Sequence, residues 1–175
     1  MAVDMESKHP EASKTIMTDL VLPGETNSLN NLFGGELLAR MDRTACISAR
    51  RHCGEVVVTA SVNHVAFNKI VPLDSIVMVE AKVSRAFKTS MEVVIDVWTE
   101  NEKTGEKTKV NEGIYTFVAV SHLGKPIPVP QIIPQTELEK QRFHAALRRK
   151  QLSLLLAKKI TPNEATELKA LFDSQ

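Results

Sequence analysis

The segment from Asn30 to Cys53 constrains the fold of this chain more than any other. We predict a loop and a glycine turn followed by one helix from about Gly35 to His52. At about 100° per residue, the residues within roughly 60° of Asp42 are Gly35, Leu38, Ala39, Ala45, Cys46, Ala49 and Cys53. The opposite face carries Glu36, Arg40, Thr44 and Arg51. Asp42 is therefore a lone carboxylate on a face of small and apolar residues.

This carboxylate has two interpretations. A buried carboxylate is costly unless it is paired or neutralised, so Asp42 caps a nearby backbone or pairs with a buried arginine. Alternatively, Asp42 marks a functional site, where such carboxylates are often found. The small neighbours favour the second interpretation, because they leave room for another molecule to approach the carboxylate.

Strand-like alternation dominates the rest of the first 120 residues. The predicted strands are Lys14–Val21, Glu55–Phe67, Ser75–Arg85, Lys88–Trp98 and Thr108–Val120. In the second of these, one predicted face carries Val56, Val58, Ala60, Val62 and Ala66, and the other carries Thr59, Ser61 and Asn63. Long alternating strands with short connections predict an antiparallel sheet. With one helix inserted after the first strand, the pattern is of the α+β class, with the helix against the apolar face of the sheet.

Composition shifts divide the chain into four parts. Residues 1–12 are predicted to be a disordered lead-in, 13–125 the domain, 126–134 a proline-rich linker and 135–175 a helical C-terminal extension. We predict a helix over Gln135–Lys159 and a last helix that starts at Thr161-Pro162. The run Arg148-Arg149-Lys150 is interpreted as a solvated face, and the extension is expected to pack on the sheet or on a neighbouring subunit.

The overall composition excludes several classes of protein. The chain has 175 residues, enough for one core, and a net charge of +1, which gives no general case for nucleic-acid binding. No apolar run approaches the roughly 20 residues of a membrane span, so no membrane partner is expected. Cys46 and Cys53 are about 10 Å apart along one helix, too far for a disulfide, so we expect reduced thiols and a cytoplasmic location. They also lack the partners of a zinc site, and no metal is expected.

Three ordered motifs carry a resemblance to a known family. The runs N-L-F-G-G-E-L-L-A-R-M-D-R-T-A, V-V-T-A-S-V-N-H-V-A-F and K-T-S-M-E-V-V-I-D-V-W follow one another in this order. This series resembles the hotdog-fold acyl-CoA thioester hydrolases, both the bacterial short-chain enzymes and the cytosolic acyl-CoA hydrolases, over roughly residues 13–125. The resemblance implies a curved five-stranded antiparallel sheet wrapped around a central helix. It also implies a homodimer that often assembles into a trimer of dimers, a hexamer.

The resemblance also implies a site. Asp42 would act as general base or nucleophile, and Asn31 of the facing subunit would orient the water or the thioester. The amide near Gly35, at the helix start, is a candidate oxyanion donor. For Asn27, Asn30 and Asn31 the alternative is turn chemistry alone. The residues expected near coenzyme A are Thr59, Ser61, Arg85, Lys88, Thr89 and Ser90. Ordinary surface charge is the alternative for Arg85 and Lys88.

Three functions follow from these features. The first is hydrolysis of acyl-CoA thioesters, with coenzyme A as part of the substrate and no further cofactor. The second is a non-catalytic acyl-CoA-binding regulator on the same fold, and the third is a hotdog hydratase or dehydratase. The third would need a His–Asp pair, whereas we interpret His52 as a helix C-terminal cap and His64 as a core histidine.

Overall fold

The fold is a five-stranded antiparallel sheet with one long helix on its inner face. The computed structural model describes residues 5–173. The strands are β1 (Thr15–Leu20), β2 (Val56–Phe67), β3 (Ile76–Ala86), β4 (Ser90–Glu100) and β5 (Lys107–Val120), in the spatial order β1-β3-β4-β5-β2. The helices are α1 (Gly34–Cys53), α2 (Glu137–Leu156) and α3 (Thr166–Asp173). Every neighbouring strand pair is antiparallel. The predicted α+β class, curved sheet and central helix are confirmed.

Helix α1 contacts the sheet through a different stripe from the one centred on Asp42. Its buried positions recur at helical spacing: Leu37, Arg40, Met41, Thr44, Ala45, Ser48, Ala49 and His52. Arg40 and Thr44, which lie on the helix face opposite Asp42, are therefore buried. The reason lies in the preceding loop, where Glu25 and the Leu20 carbonyl accept hydrogen bonds of 2.7 and 2.8 Å from Arg40 Nη2. The Asp42 face is left only partly covered.

Strand β2 is an edge strand whose faces are the reverse of those predicted. Val57 is buried, whereas Val56, Val58 and Val62 are 53%, 48% and 49% exposed. The pairing of β2 with β5 shifts register between Thr59 and Ser61 and again between Val62 and His64. Each bulge changes which side chains face the helix. Thr59 lies on the helix side opposite buried Phe117, and Ser61 lies on the other side opposite Thr116.

The N-terminal segment makes defined contacts from Lys8 onward. Lys8 pairs with Ile132 in an isolated bridge, and Pro10–Ser13 forms a short 3₁₀ helix. The buried Ser13 hydroxyl donates to the Pro10 carbonyl and accepts the Val83 amide. The predicted disorder is therefore wrong for residues 8–12, and residues 1–4 lie outside the described residues. Lys8 and His9 hydrogen-bond Gln131 and Ile133 of the linker 126–134, and Val129 and Ile132 of this linker are buried in the core.

Helix α2 packs on the outer face of the sheet, as one of the two alternatives for the extension predicted. Arg149 donates to both carboxylate oxygens of Glu92 at 2.9 and 2.7 Å, and Arg142 pairs with Asp96 at 2.7 Å. The interpretation of residues 148–150 as a solvated face is wrong for Arg149. Burial would raise the pKa of Asp96, but hydrogen bonds and charges from Lys109 and Arg142 outweigh burial and lower it. Within residues 5–173, every helix is too short or too polar to span a lipid bilayer.

Candidate active site

Asp42 stands on the half-covered face of α1, where β2 passes the helix. The Thr59 hydroxyl donates a 2.9 Å hydrogen bond to its carboxylate oxygen Oδ1. Among residues 5–173, Thr59 is the only side chain that hydrogen-bonds this carboxylate. Asp42 is thus neither neutralised by an arginine nor used as a cap. Its second oxygen is left for another molecule.

Tyr115 of β5 lies beneath this part of the helix. The ring is 1% exposed, and its hydroxyl donates a 3.3 Å hydrogen bond to the Leu38 carbonyl, one turn before Asp42. Burial, and then the negative charge of Asp42, raise the pKa of Tyr115 to about 12. Tyr115 therefore stays neutral and acts as a donor at any physiological pH.

The start of α1 presents free backbone amides. The first N–H groups of a helix have no partner within it, and the N-cap residue Phe33 makes no side-chain cap. A Cβ on Gly35 would come within 3.2 Å of the Phe33 ring, so the missing side chain lets this ring lie against the helix start. Gly35 itself is exposed. The predicted oxyanion donor thus lies at an accessible, electropositive helix end.

The three asparagines before α1 differ in their hydrogen bonds and backbone conformations. Asn27 Oδ1 accepts the amides of Leu29 and Asn31 at 2.9 and 3.2 Å, which fixes its side chain across the loop. Asn30 has φ of 57°, the left-handed conformation that asparagine tolerates. Asn31 forms a backbone bridge with Pro72. Within one chain, and among the described residues, neither Asn27 nor Asn31 hydrogen-bonds Asp42.

The six residues expected near coenzyme A do not form one cluster. Thr59 faces Asp42, whereas Ser61 and Ser90 line a cavity on the outer face with α2. Arg85 is held by α2, donating to the Phe143 carbonyl at 3.0 Å. Lys88 is exposed, and the Lys88 and Thr89 carbonyls accept the amides of Val129 and Ala119. The bulge between Thr59 and Ser61 places these two residues on opposite faces of the sheet.

The other candidate groups on α1 have structural surroundings. His52 is fully buried, and its Nε2 hydrogen-bonds the Pro130 carbonyl at 2.7 Å, so it anchors the linker and is not a helix cap. His64 is exposed, contrary to the prediction of a core residue. Cys46 and Cys53 are free thiols, and burial raises the pKa of each. Low thiolate content makes them poor nucleophiles.

A five-stranded hotdog sheet with an accessible carboxylate on its central helix is typical of hotdog-fold thioesterases. Comparisons with known proteins support this class. Residues 29–106 match the model of the thioesterase superfamily. An acyl-CoA thioester hydrolase of Bacillus subtilis, described as uncharacterised, is 40% identical over 144 residues, which are 82% of this chain and 84% of the relative. The chain belongs to the thioesterase superfamily.

Solved structures extend the comparison to three dimensions. A hexameric acyl-CoA thioesterase, crystallised without ligand, is 42% identical with a TM-score of 0.83, covering 87% of this chain and 98% of its own. An acyl-CoA hydrolase of Staphylococcus aureus, in complex with butyryl coenzyme A, coenzyme A and coenzyme A disulfide, is 33% identical with a TM-score of 0.80, covering 94% and 99%. Three alanine variants of that enzyme have also been solved, at an asparagine, an aspartate and a threonine. The asparagine is 15 residues before the aspartate, and the threonine 17 after it.

Proposed function

We propose that this protein hydrolyses acyl-CoA thioesters to a carboxylic acid and coenzyme A. The observation that carries the proposal is the Asp42 carboxylate, held by Thr59 on the open face of α1, with one oxygen unpaired in the described chain. Relatives of the same length and fold are named as acyl-CoA thioester hydrolases. A carboxylate that is accessible and oriented is suited to activate water.

The chemistry needs few groups. Water attacks the thioester carbonyl while Asp42 takes its proton, and the amide at Gly35 stabilises the oxyanion that forms. As the C–S bond breaks, the thiolate of coenzyme A receives that proton. Direct attack by Asp42 would instead form an anhydride that water then opens, so both roles of Asp42 remain in the proposal. Neither route uses a metal or cofactor, and dialysis against EDTA should leave the rate unchanged.

We assign the amide role to Asn27 in place of Asn31. Asn27, Asp42 and Thr59 have the same two spacings, 15 and 17 residues, as the three substituted residues of the Staphylococcus aureus enzyme. The Asn27 carbonyl oxygen is already fixed by two backbone amides, so its Nδ2 group remains as an oriented donor. Asn27→Ala should lower kcat at least tenfold, the scale of one lost donor. Asn31→Ala is the matched control in the same loop.

The site is proposed to be shared between two subunits. Strand β2 is an unprotected edge with half-exposed valines, and Phe33 and Phe67 near the helix start are both 56% exposed. Pairing of two β2 edges around a two-fold axis would cover this surface and bring Asn27 of one chain to Asp42 of the other. We propose a homodimer that assembles into a trimer of dimers, as in the hexameric relative.

Mixing two inactive variants tests this sharing. If Asp42 and Asn27 of one site come from different chains, refolded mixtures of Asp42→Ala and Asn27→Ala should regain about a quarter of wild-type activity, because half of the dimers then hold one intact site. A site built within one chain would regain none. A monomeric mass in solution would contradict the assembly itself.

The alternatives are separated by activity. A hydratase would need a His–Asp pair, but His52 is bonded to Pro130 and the described partner of Asp42 is Thr59. We therefore expect release of thiol from acyl-CoA and no addition of water to the double bond of enoyl-CoA. Tight binding of acyl-CoA without thiol release would identify a regulator. The free thiols of Cys46 and Cys53 suit the reducing cytoplasm, where we place the protein.

A further inference from the structure

Tyr115 carries a buried hydroxyl group near the proposed catalytic carboxylate, and the proposed reaction does not use it. Tyr115 lies on β5, two residues before Phe117, and both rings are buried. Residues two apart on a strand share a face of the sheet, and Phe117 is paired with Thr59 of β2 on the face that carries α1. Tyr115 and Thr59 therefore approach the same part of α1 from two neighbouring strands.

Two hydrogen bonds from the sheet hold the helical turn that ends at Asp42. The Tyr115 hydroxyl donates to the Leu38 carbonyl at 3.3 Å. Within α1, this carbonyl is also the acceptor for the amide four residues further on, which is the amide of Asp42. The Thr59 hydroxyl donates to Asp42 Oδ1. The backbone of this turn is thus bonded to β5, and the Asp42 side chain is bonded to β2.

The hydroxyl of Tyr115 contributes little to the stability of the fold. Its hydrogen bond of 3.3 Å is longer than the 2.5–3.0 Å usual between two oxygens. Burying a hydroxyl is unfavourable unless a good hydrogen bond compensates for it. Phe117, which is 0% exposed, shows that the same face of β5 accommodates a ring without a hydroxyl. Packing alone therefore gives no reason for an oxygen atom at position 115.

Tyr115 can neither contact the substrate nor exchange a proton with it. The side chain is 1% exposed and lies beneath α1. Burial, and then the charge of Asp42, raise the pKa of Tyr115 to about 12, so the phenol keeps its proton throughout the reaction. This electrostatic effect is mutual, so the hydroxyl lies within reach of the Asp42 charge. What remains for Tyr115 is an influence on where the carboxylate stands.

We propose that Tyr115 is a positioning residue of the reaction, which acts on Asp42 through the Leu38 carbonyl. The inference rests on the proposed function and adds a residue of β5 to the site. Hydrolysis requires the carboxylate, the water and the thioester carbonyl to be aligned, and a displacement of about 1 Å can lower the rate about 100-fold. The bond from Tyr115 fixes the height of the Leu38–Asp42 turn above the sheet.

Tyr115→Phe tests the proposal, because it removes the hydroxyl and keeps the ring. We expect kcat to fall about tenfold, as for a displacement of roughly 0.5 Å. KM for acyl-CoA should stay unchanged, because Tyr115 does not contact the substrate, and so should the midpoint of unfolding in urea. Thr108→Val, which removes an exposed hydroxyl from the same strand, is the matched control and should change none of these values.

The same substitution in the Asp42→Asn background separates positioning from a general disturbance of the site. The residual rate of Asp42→Asn does not use the carboxylate, so the added Tyr115→Phe change should leave it unaltered. An equal tenfold loss in both backgrounds would overturn the proposal. An unchanged kcat in Tyr115→Phe, or a loss confined to KM, would also overturn it. Absence of thiol release by the wild type would refute the proposed function instead.

Discussion

Thr59 Oγ1 on the edge strand donates a hydrogen bond of 2.9 Å to Asp42 Oδ1 on the central helix. The two residues are 17 positions apart, and a bulge directly after Thr59 turns its neighbour Ser61 to the other face of the sheet. The bond fixes one carboxylate oxygen and leaves the second one open. The Thr59 hydroxyl therefore sets the orientation of the proposed catalytic group.

Removal of this hydrogen bond should slow the reaction. Thr59→Val keeps the shape of the side chain and loses the donor, and we expect kcat to fall about tenfold, the value of one hydrogen bond to a charged group. Thr59→Ser retains the hydroxyl and should restore most of the rate. Steady-state kinetics of the two variants on one acyl-CoA provide the measurement. Equal rates for Val and Ser variants would show that the hydroxyl has no catalytic consequence.

The ion pair between Arg40 and Glu25 holds the loop that carries Asn27, Asn30 and Asn31 against helix α1. Arg40 is 5% exposed and bonds both Glu25 and the Leu20 carbonyl, so Arg40→Ala leaves two acceptors without their donor. In the wild-type protein, two guanidinium nitrogens of Arg40 already lack hydrogen-bond partners in the described chain. We therefore expect Arg40→Ala to lower the free energy of unfolding by about 2 kcal/mol, which is less than the ~3–5 kcal/mol of a fully satisfied buried pair. The free energy of unfolding in urea is the measurement.

Arg43→Ala serves as the control for this change. Arg43 is exposed on the same helix and should alter the unfolding free energy by less than about 0.5 kcal/mol. If Arg40→Ala lowered the free energy of unfolding as little as Arg43→Ala, the ion pair would not stabilise the loop before α1.

Buried His52 should make stability depend on pH. Burial lowers the pKa of His52 below its ordinary value of 6.5, with the Pro130 hydrogen bond opposing this and the charge of Lys8 adding to it. The unfolded chain therefore binds the proton first, so stability is complete above pH 6.5 and is lost as pH falls from there through the folded pKa. The loss for one proton is at most about 1.4 kcal/mol per pH unit.

Denaturation midpoints between pH 7.5 and 5 measure this effect. His52→Gln keeps an N–H donor for the Pro130 carbonyl and does not titrate, so its curve should be flat in this range. The carboxylates of lowered pKa, among them Glu25 and Asp96, act only below about pH 4.5 and do not interfere. Parallel curves for wild type and variant would assign the dependence to another group.

The elements could be predicted from the sequence because their periodicity is local. The helix predicted from about Gly35 to His52 is observed over Gly34–Cys53, and the five strands lie within a few residues of their predicted ends. Periodicity depends on regular repeats, however, and the bulges in β2 break the period of two. Val56 and Val58 precede both bulges, and they were assigned to the wrong face because the sequence does not show that the apolar side of this edge strand is turned away from the helix.

The site could be predicted only in part, because sequence patterns report local features alone. Asp42 could be predicted because it is the one carboxylate on a helix face of small and apolar residues. The burial of Arg40 and the contact of Arg149 with Glu92 depend on partners 15 and 57 residues away, which no local pattern contains. In the loop, the Asn27 side chain is distinguished from Asn31 by which backbone amides it accepts, and this appears only in three dimensions.

The most direct test of the central claim is thiol release from acyl-CoAs of two to sixteen carbons by wild type and Asp42→Asn side by side. Asparagine still accepts the Thr59 hydrogen bond but is not a base, so we expect at least a ~100-fold lower kcat in the variant at unchanged stability. Rapid hydrolysis by wild type alone would assign the reaction to Asp42. Hydrolysis by a folded Asp42→Asn variant at the wild-type rate would contradict the account.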